Sequence, residues 1–174
     1  MAHALRLFAG PLMTMRVFEQ ASRYARIYAL RPAGSMFVVP LDDDLQDDLH
    51  RLSGTGDWLD DGPRISTGDM AFAARASQGA AVAYLETAYF GGAGEQSAVL
   101  WKDGRLVLGP LTMALTAARR PRSLWPINAA LRGLGVKTEG TQFADEFDAI
   151  GLGEYRSHDD IAADALLVRP RTAL

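Results

Sequence analysis

The chain has 174 residues, nearly half of them hydrophobic and about a fifth charged, a balance that supports one sizeable core and excludes intrinsic disorder. It has no cysteine, which removes disulfides, thiolate zinc sites and thiol nucleophiles together and fits a reducing, cytoplasmic compartment. The net charge of −3 hides alternating blocks: residues 1–31 carry +4, 32–70 carry −7, 71–135 carry +4 and 136–174 carry −4. No continuous basic face of the kind nucleic acid requires is built this way, and no apolar run approaches the roughly 20 residues of a membrane helix.

In chain order, residues 1–12 are mildly apolar but interrupted by Arg6, Gly10 and Pro11, with no cleavage signal. They are expected to be an extension of little structural weight within a single domain spanning 1–174. Residues 24–30 are rich in β-formers and predict a strand, Arg31-Pro32-Ala33-Gly34 a turn, and residues 36–39 a second strand stopped by Pro40, together a hairpin. Asp42 opens a helix whose Leu45, Leu49 and Leu52 form one apolar stripe. Asp42, Asp43 and Asp44 sit at its positive end and His50 and Arg51 at its negative end, so the acidic run has a structural explanation without metal. Residues 53–66 predict a loop containing Trp58. Ser66 or Thr67 with Asp69 suggests a capping box for a helix reaching about Gln78.

Residues 81–90 predict a central strand, apolar on both faces. After a glycine-rich break, residues 97–102 and 105–108 flank Asp103-Gly104, the strongest hairpin signal in the chain. A two-residue turn pairs Lys102 with Arg105 and Trp101 with Leu106, and places Val99, Trp101, Leu106 and Leu108 on one core face. Pro110 and the Arg119-Arg120-Pro121-Arg122 run argue for loop at both ends of 110–125. Ile127, Leu131 and Leu134 form a helical stripe stopped by Gly135; Phe143, Phe147 and Ile150 mark another turn or two ended by Gly151; Ser157 with Asp160 caps a last helix over roughly 158–167. The expected fold is α+β, a mainly antiparallel sheet of about five strands with helices packed against it.

Two features could carry chemistry. Tyr89-Phe90-Gly91-Gly92-Ala93-Gly94-Glu95-Gln96 joins two strands with glycines that permit close backbone approach to a ligand, yet lacks the Lys-Ser/Thr ending of a phosphate loop. A wide strand connection is the plainer reading. Glu86 stands among apolar neighbours, where a carboxylate gains a raised pKa, and Glu95 lies across the glycine loop; the pair is the candidate acid–base couple if the chain is an enzyme. His3, His50 and His158 lie too far apart for a zinc motif, and Asp57, Asp60 and Asp61 lack calcium-loop spacing, so no metal and no cofactor are expected.

The string 83–96, with Ala98 and Trp101 after it, resembles small bacterial proteins of uncharacterised function that carry a Tyr-Phe-Gly-Gly-x-Gly-x-Gln motif. Asp145-Glu146-Phe147-Asp148-Ala149-Ile150-Gly151-Leu152 resembles their C-terminal segment. The resemblance implies an immunity- or accessory-type protein that binds a partner, and it brings no catalytic residues. The leading expectation is therefore a non-enzymatic binding protein. It would meet a basic protein surface through its acidic patches, Asp47 and Asp48 among them, and through Tyr89, Gly91, Gly92, Gly94, Glu95 and Gln96. A small hydrolase or transferase, or a small-ligand-binding module, is the alternative. The oligomeric state is not legible.

Overall fold

The structure, a computed structural model, describes residues 3–31, 34–90, 93–114 and 121–169. It is α+β. Seven strands form one antiparallel sheet in the order β6-β5-β4-β1-β3-β2-β7, where β1 is His3–Gly10, β2 Tyr28–Ala29, β3 Phe37–Pro40, β4 Val82–Phe90, β5 Ala93–Lys102, β6 Arg105–Ala114 and β7 Leu166–Leu167. The six α-helices among the described residues are α1 Leu12–Ala21, α2 Asp43–Ser53, α3 Thr67–Ala76, α4 Pro126–Gly133, α5 Glu146–Ala149 and α6 His158–Asp164.

The strand count corrects the expected five, and the reason lies at the two ends of the chain. Residues 1–12 are not a dispensable extension. From residue 3 they supply β1, paired to β3 on one side and to β4 on the other. Leu5, Leu7 and Ala9 point to one face of the sheet and Phe8 to the other, all buried, so β1 is apolar on both faces as an interior strand must be. Pro11 then starts α1, a helix the sequence reading missed altogether. At the far end the last helix stops at Asp164, and Leu166–Leu167 pair with β2.

The sheet is covered on both faces. α1, α2 and α3 pack over an aromatic-rich core of Phe8, Phe18, Phe72, Tyr84 and Trp101. α4, α5 and α6 cover a mainly aliphatic core of Leu5, Leu7, Leu85, Leu100, Ile127, Leu131 and Ile161. Local signals explain most of the helix ends. The Asp42 carboxylate caps α2 through Leu45 N–H, Ser66 and Asp69 form a full capping box on α3, and Ser157 caps α6. Within the α2 stripe, Leu45 and Leu49 are buried but Leu52 is exposed.

The hairpin at Asp103-Gly104 has the expected turn, with both residues at positive φ, and the expected pairs Lys102–Arg105 and Trp101–Leu106. One step further the register slips: Leu100 faces Leu108, leaving Val107 as an extra residue, and a second slip lies between Leu100 and Ala98. Leu108 therefore turns to the face of Leu100 and not to that of Trp101. Trp101 is 2% exposed as expected, but its neighbour Leu106 is 46% exposed, because β6 is the sheet edge and no helix reaches over it there. Pro110, read as loop, lies inside β6; an irregular edge strand tolerates its missing donor.

Candidate functional site

Glu86 points to the α1–α3 face of β4, between Arg6 of β1 and Ser97 of β5 in the ladder. It is 4% exposed. Its Oε2 accepts from Arg64 N–H at 2.7 Å and from the Tyr84 hydroxyl at 3.1 Å. Burial raises its pKa, and the two hydrogen bonds oppose that shift without cancelling it. Burial likewise raises the Tyr84 phenol. Glu95 is on the same face but pairs with Ala88, further toward the sheet end, and is exposed. The candidate couple is thus one enclosed carboxylate tied to the Arg64 backbone and one solvated carboxylate. No described residue beside either is placed as a nucleophile.

Sequence reasoning missed a polar network beneath this site because Arg6 was assigned to an extension. The Arg6 guanidinium donates to Gln46 Oε1 at 3.2 Å and to Asp43 at 3.0 Å. Gln46 in turn donates to Asp69 Oδ2 at 2.7 Å, which also accepts from Ser66 N–H at 2.9 Å. Ser66 Oγ lies 2.7 Å from His50 Nε2, and Asp69 Oδ1 lies 3.7 Å from the same nitrogen. Three catalytic residue types meet here without a catalytic geometry. A working triad places serine and carboxylate on opposite ring nitrogens, whereas both face Nε2. Ser66 Oγ also accepts from Asp69 N–H, and the residue is 0% exposed. The cluster is the α3 capping box, extended to His50 and Gln46. An apolar run from Ala4 to Ala9 with Arg6 as its one charge was the available signal.

The glycine-rich stretch is mostly ladder. Phe90 pairs with Ala93, Tyr89 with Gly94, Ala88 with Glu95 and Thr87 with Gln96; Gly91 and Gly92 lie outside the described residues. Gly94 has a packing reason: a Cβ there would sit 2.2 Å from the Ala88 carbonyl oxygen. Tyr89 and Gln96 do come together, the Gln96 amide donating to the Tyr89 hydroxyl at 2.5 Å, on the α4–α6 face. Burial raises the Tyr89 phenol. His3, which sequence reasoning set aside, stands beside them: its Nδ1 is 2.6 Å from Thr87 Oγ1 and its ring 5.3 Å from that of Tyr89. Burial lowers its pKa. His3 Nε2 and Gln96 Oε1 are both buried without a hydrogen-bond partner.

The acidic block divides in two. Asp48 is not a partner-facing charge. It is buried, accepts from Ser22 Oγ at 2.7 Å and pairs with Arg51, and the Ser22 hydrogen bond holds its carboxyl below the usual range. Asp44, Asp47, Asp57, Asp60 and Asp61 are exposed, and so are Leu52 and Trp58 in the same stretch. The Trp58 ring meets His50 edge-on at 6.1 Å. Arg119 and Arg120 of the basic run lie outside the described residues. Among the described residues no three His, Asp or Glu side chains converge on a metal position, and no helix is long and apolar enough to cross a membrane. No protein-family model, curated protein or solved structure matches this chain.

Proposed function

We propose that this is a non-enzymatic binding protein whose α2 and 54–66 loop surface meets a basic protein partner. The observation that carries the reading is the exposure of Trp58 and Leu52 among outward carboxylates. An exposed tryptophan is the side chain most often found to anchor protein interfaces, and a charged rim around it steers a partner of opposite sign. The inward polar groups of this side of the sheet support it as well. Glu86, Ser66, His50, Asp69 and Asp48 are engaged in capping and cross-links, which leaves the surface as the part free to act. Asp48, Tyr89 and Gln96 fall outside the proposed surface: the Asp48 carboxylate accepts from Ser22, and the Gln96 amide N–H donates to the Tyr89 hydroxyl.

The test is kinetic. A partner cross-linked from native lysate at low salt is purified, and its binding to immobilised protein is followed. Asp47→Asn/Asp60→Asn/Asp61→Asn should slow association and flatten its salt dependence, because the Debye length falls from about 10 Å at 0.1 M to about 3 Å at 1 M. Trp58→Ala should mainly speed dissociation, by about tenfold or more. Unchanged rates in both variants sink the reading.

A further inference from the structure

On the opposite face, a cavity of about 280 Å³ opens between Arg31 and residues 34–36 on one side and the α4–α5 segment on the other. Met36, Leu134, Val136, Phe143 and Ile150 give it apolar walls, and Arg31, Lys137 and Ser35 supply the polar groups. Arg31 is held in place: its Nη2 donates to the Asp148 carbonyl at 3.0 Å and pairs with Glu154 at 2.9 Å, and its guanidinium stacks 5.1 Å from the centre of the Phe143 ring. Gly151 lets it lie flat, since a Cβ there would come within 2.8 Å of Arg31 Nε. That Nε is enclosed against Gly151, with no acceptor among the described residues. A guanidinium fixed in place beside an ammonium and an apolar wall is the arrangement that recognises a small anion with an apolar body.

We propose that this cavity binds a small monocarboxylate with a compact apolar body, its carboxylate toward Arg31 and Lys137 and its body against Met36, Val136 and Phe143. The charge selects a monoanion. Glu154 already neutralises Arg31, and the Asp148 carboxylate is turned to Ala144 N–H, so Lys137 is the cation of the lining with no acid paired to it among the described residues. The volume lies at the low end of small-molecule sites, which fits a single ring or a short branched chain. This site is independent of the α2 surface and stands or falls without it.

Titration of ¹⁵N-labelled protein with benzoate, benzamide and inorganic phosphate tests it. Benzoate should shift the amides of Ser35, Met36, Val136, Lys137 and Ile150 and bind about tenfold tighter than isosteric benzamide, with phosphate weaker than both. Lys137→Gln, an exposed change that leaves the fold alone, should lower benzoate affinity and leave benzamide where it was. Arg31→Gln should lower it further. Equal binding of benzoate and benzamide, shifts elsewhere on the protein, tighter binding of phosphate, or a Lys137→Gln variant with unaltered preference would each overturn the assignment.

Discussion

The two faces of the sheet solve the burial of polar groups differently. Under α1–α3 the core is aromatic, and its polar side chains are knitted together: Glu86 to Tyr84 and Arg64, Arg6 to Gln46, Gln46 to Asp69, Ser66 to His50. Under α4–α6 the core is aliphatic. Three of the four buried polar atoms without a partner among the described residues belong to that side, namely His3 Nε2, Gln96 Oε1 and Arg31 Nε. The fourth, Asp69 Oδ1, still has the His50 ring nitrogen 3.7 Å away. Buried polar groups without partners are rare in native folds because each costs about 1–3 kcal/mol. The α4–α6 side has bonded buried groups as well, Asn128 to Phe147 N–H and Glu146 to Arg132 among them, so the difference lies in the few atoms left over and not in a lack of networks.

The largest expected effect comes from breaking what both faces share. Deleting residues 1–12 removes β1 and leaves β6-β5-β4 unjoined to β3-β2-β7. Cooperative thermal unfolding should disappear, and a truncated protein that melts like the full chain would show that β1 is not integral to the sheet.

Next is the aromatic face. Trp101→Ala should cost about 3–5 kcal/mol in urea unfolding, as expected for emptying a closed aromatic site. Leu106→Ala, directly across the hairpin, should cost under about 1 kcal/mol because that side chain is already half in water. Equal losses would mean that the sheet edge is covered.

A smaller contrast divides the acidic block. Asp48→Asn should lower the urea midpoint by weakening the bonds to Ser22 and Arg51, whereas Asp47→Asn should stay within about 0.5 kcal/mol of wild type. If both are silent, Asp48 is as solvated as its neighbour.

What was legible in the sequence follows the range of the signals. Caps and turns are local, so Asp42, Ser157 and Asp103-Gly104 were readable to the residue, and the α3 cap to one of two neighbours, Ser66 or Thr67. The face of Leu108 was not, because a bulge at Val107 depends on how an edge strand twists against its single neighbour. β1 was discounted because Arg6, Gly10 and Pro11 interrupt a mildly apolar stretch, and only the tertiary fold supplies the Gln46 and Asp43 partners that let Arg6 be enclosed. Glu86 was legible as a buried carboxylate. That its acceptor role is taken by a backbone N–H 22 residues away was not. The cavity at Arg31 joins segments more than 100 residues apart, and no spacing in the chain announces it.

The subtlest difference between the faces is their response to acid. Burial raises the Glu86 pKa, so the folded state binds that proton more readily than the unfolded chain does. Its desolvation penalty is full above the folded pKa and is relieved as pH falls through that value toward the ordinary carboxylate range. His3 and His158 run the other way. Burial lowers both, so the fold prefers their neutral forms. Stability from these two is intact above about 6.5 and is lost as pH falls through 6.5 toward their folded values. The His158 Nε2, 2.7 Å from the Arg6 carbonyl oxygen, opposes this lowering without cancelling it. Wild type should therefore weaken on acidification below pH 7, with Glu86 blunting the loss at the acid end. Urea midpoints measured from pH 8 to pH 5 should fall more steeply for Glu86→Gln than for wild type. They should fall less steeply for His3→Asn, whose amide occupies the place of Nδ1 beside Thr87, and for His158→Gln, whose amide occupies the place of Nε2. Parallel curves for all four proteins would mean that none of these groups changes its proton affinity on folding, and the electrostatic contrast between the two faces would go with it.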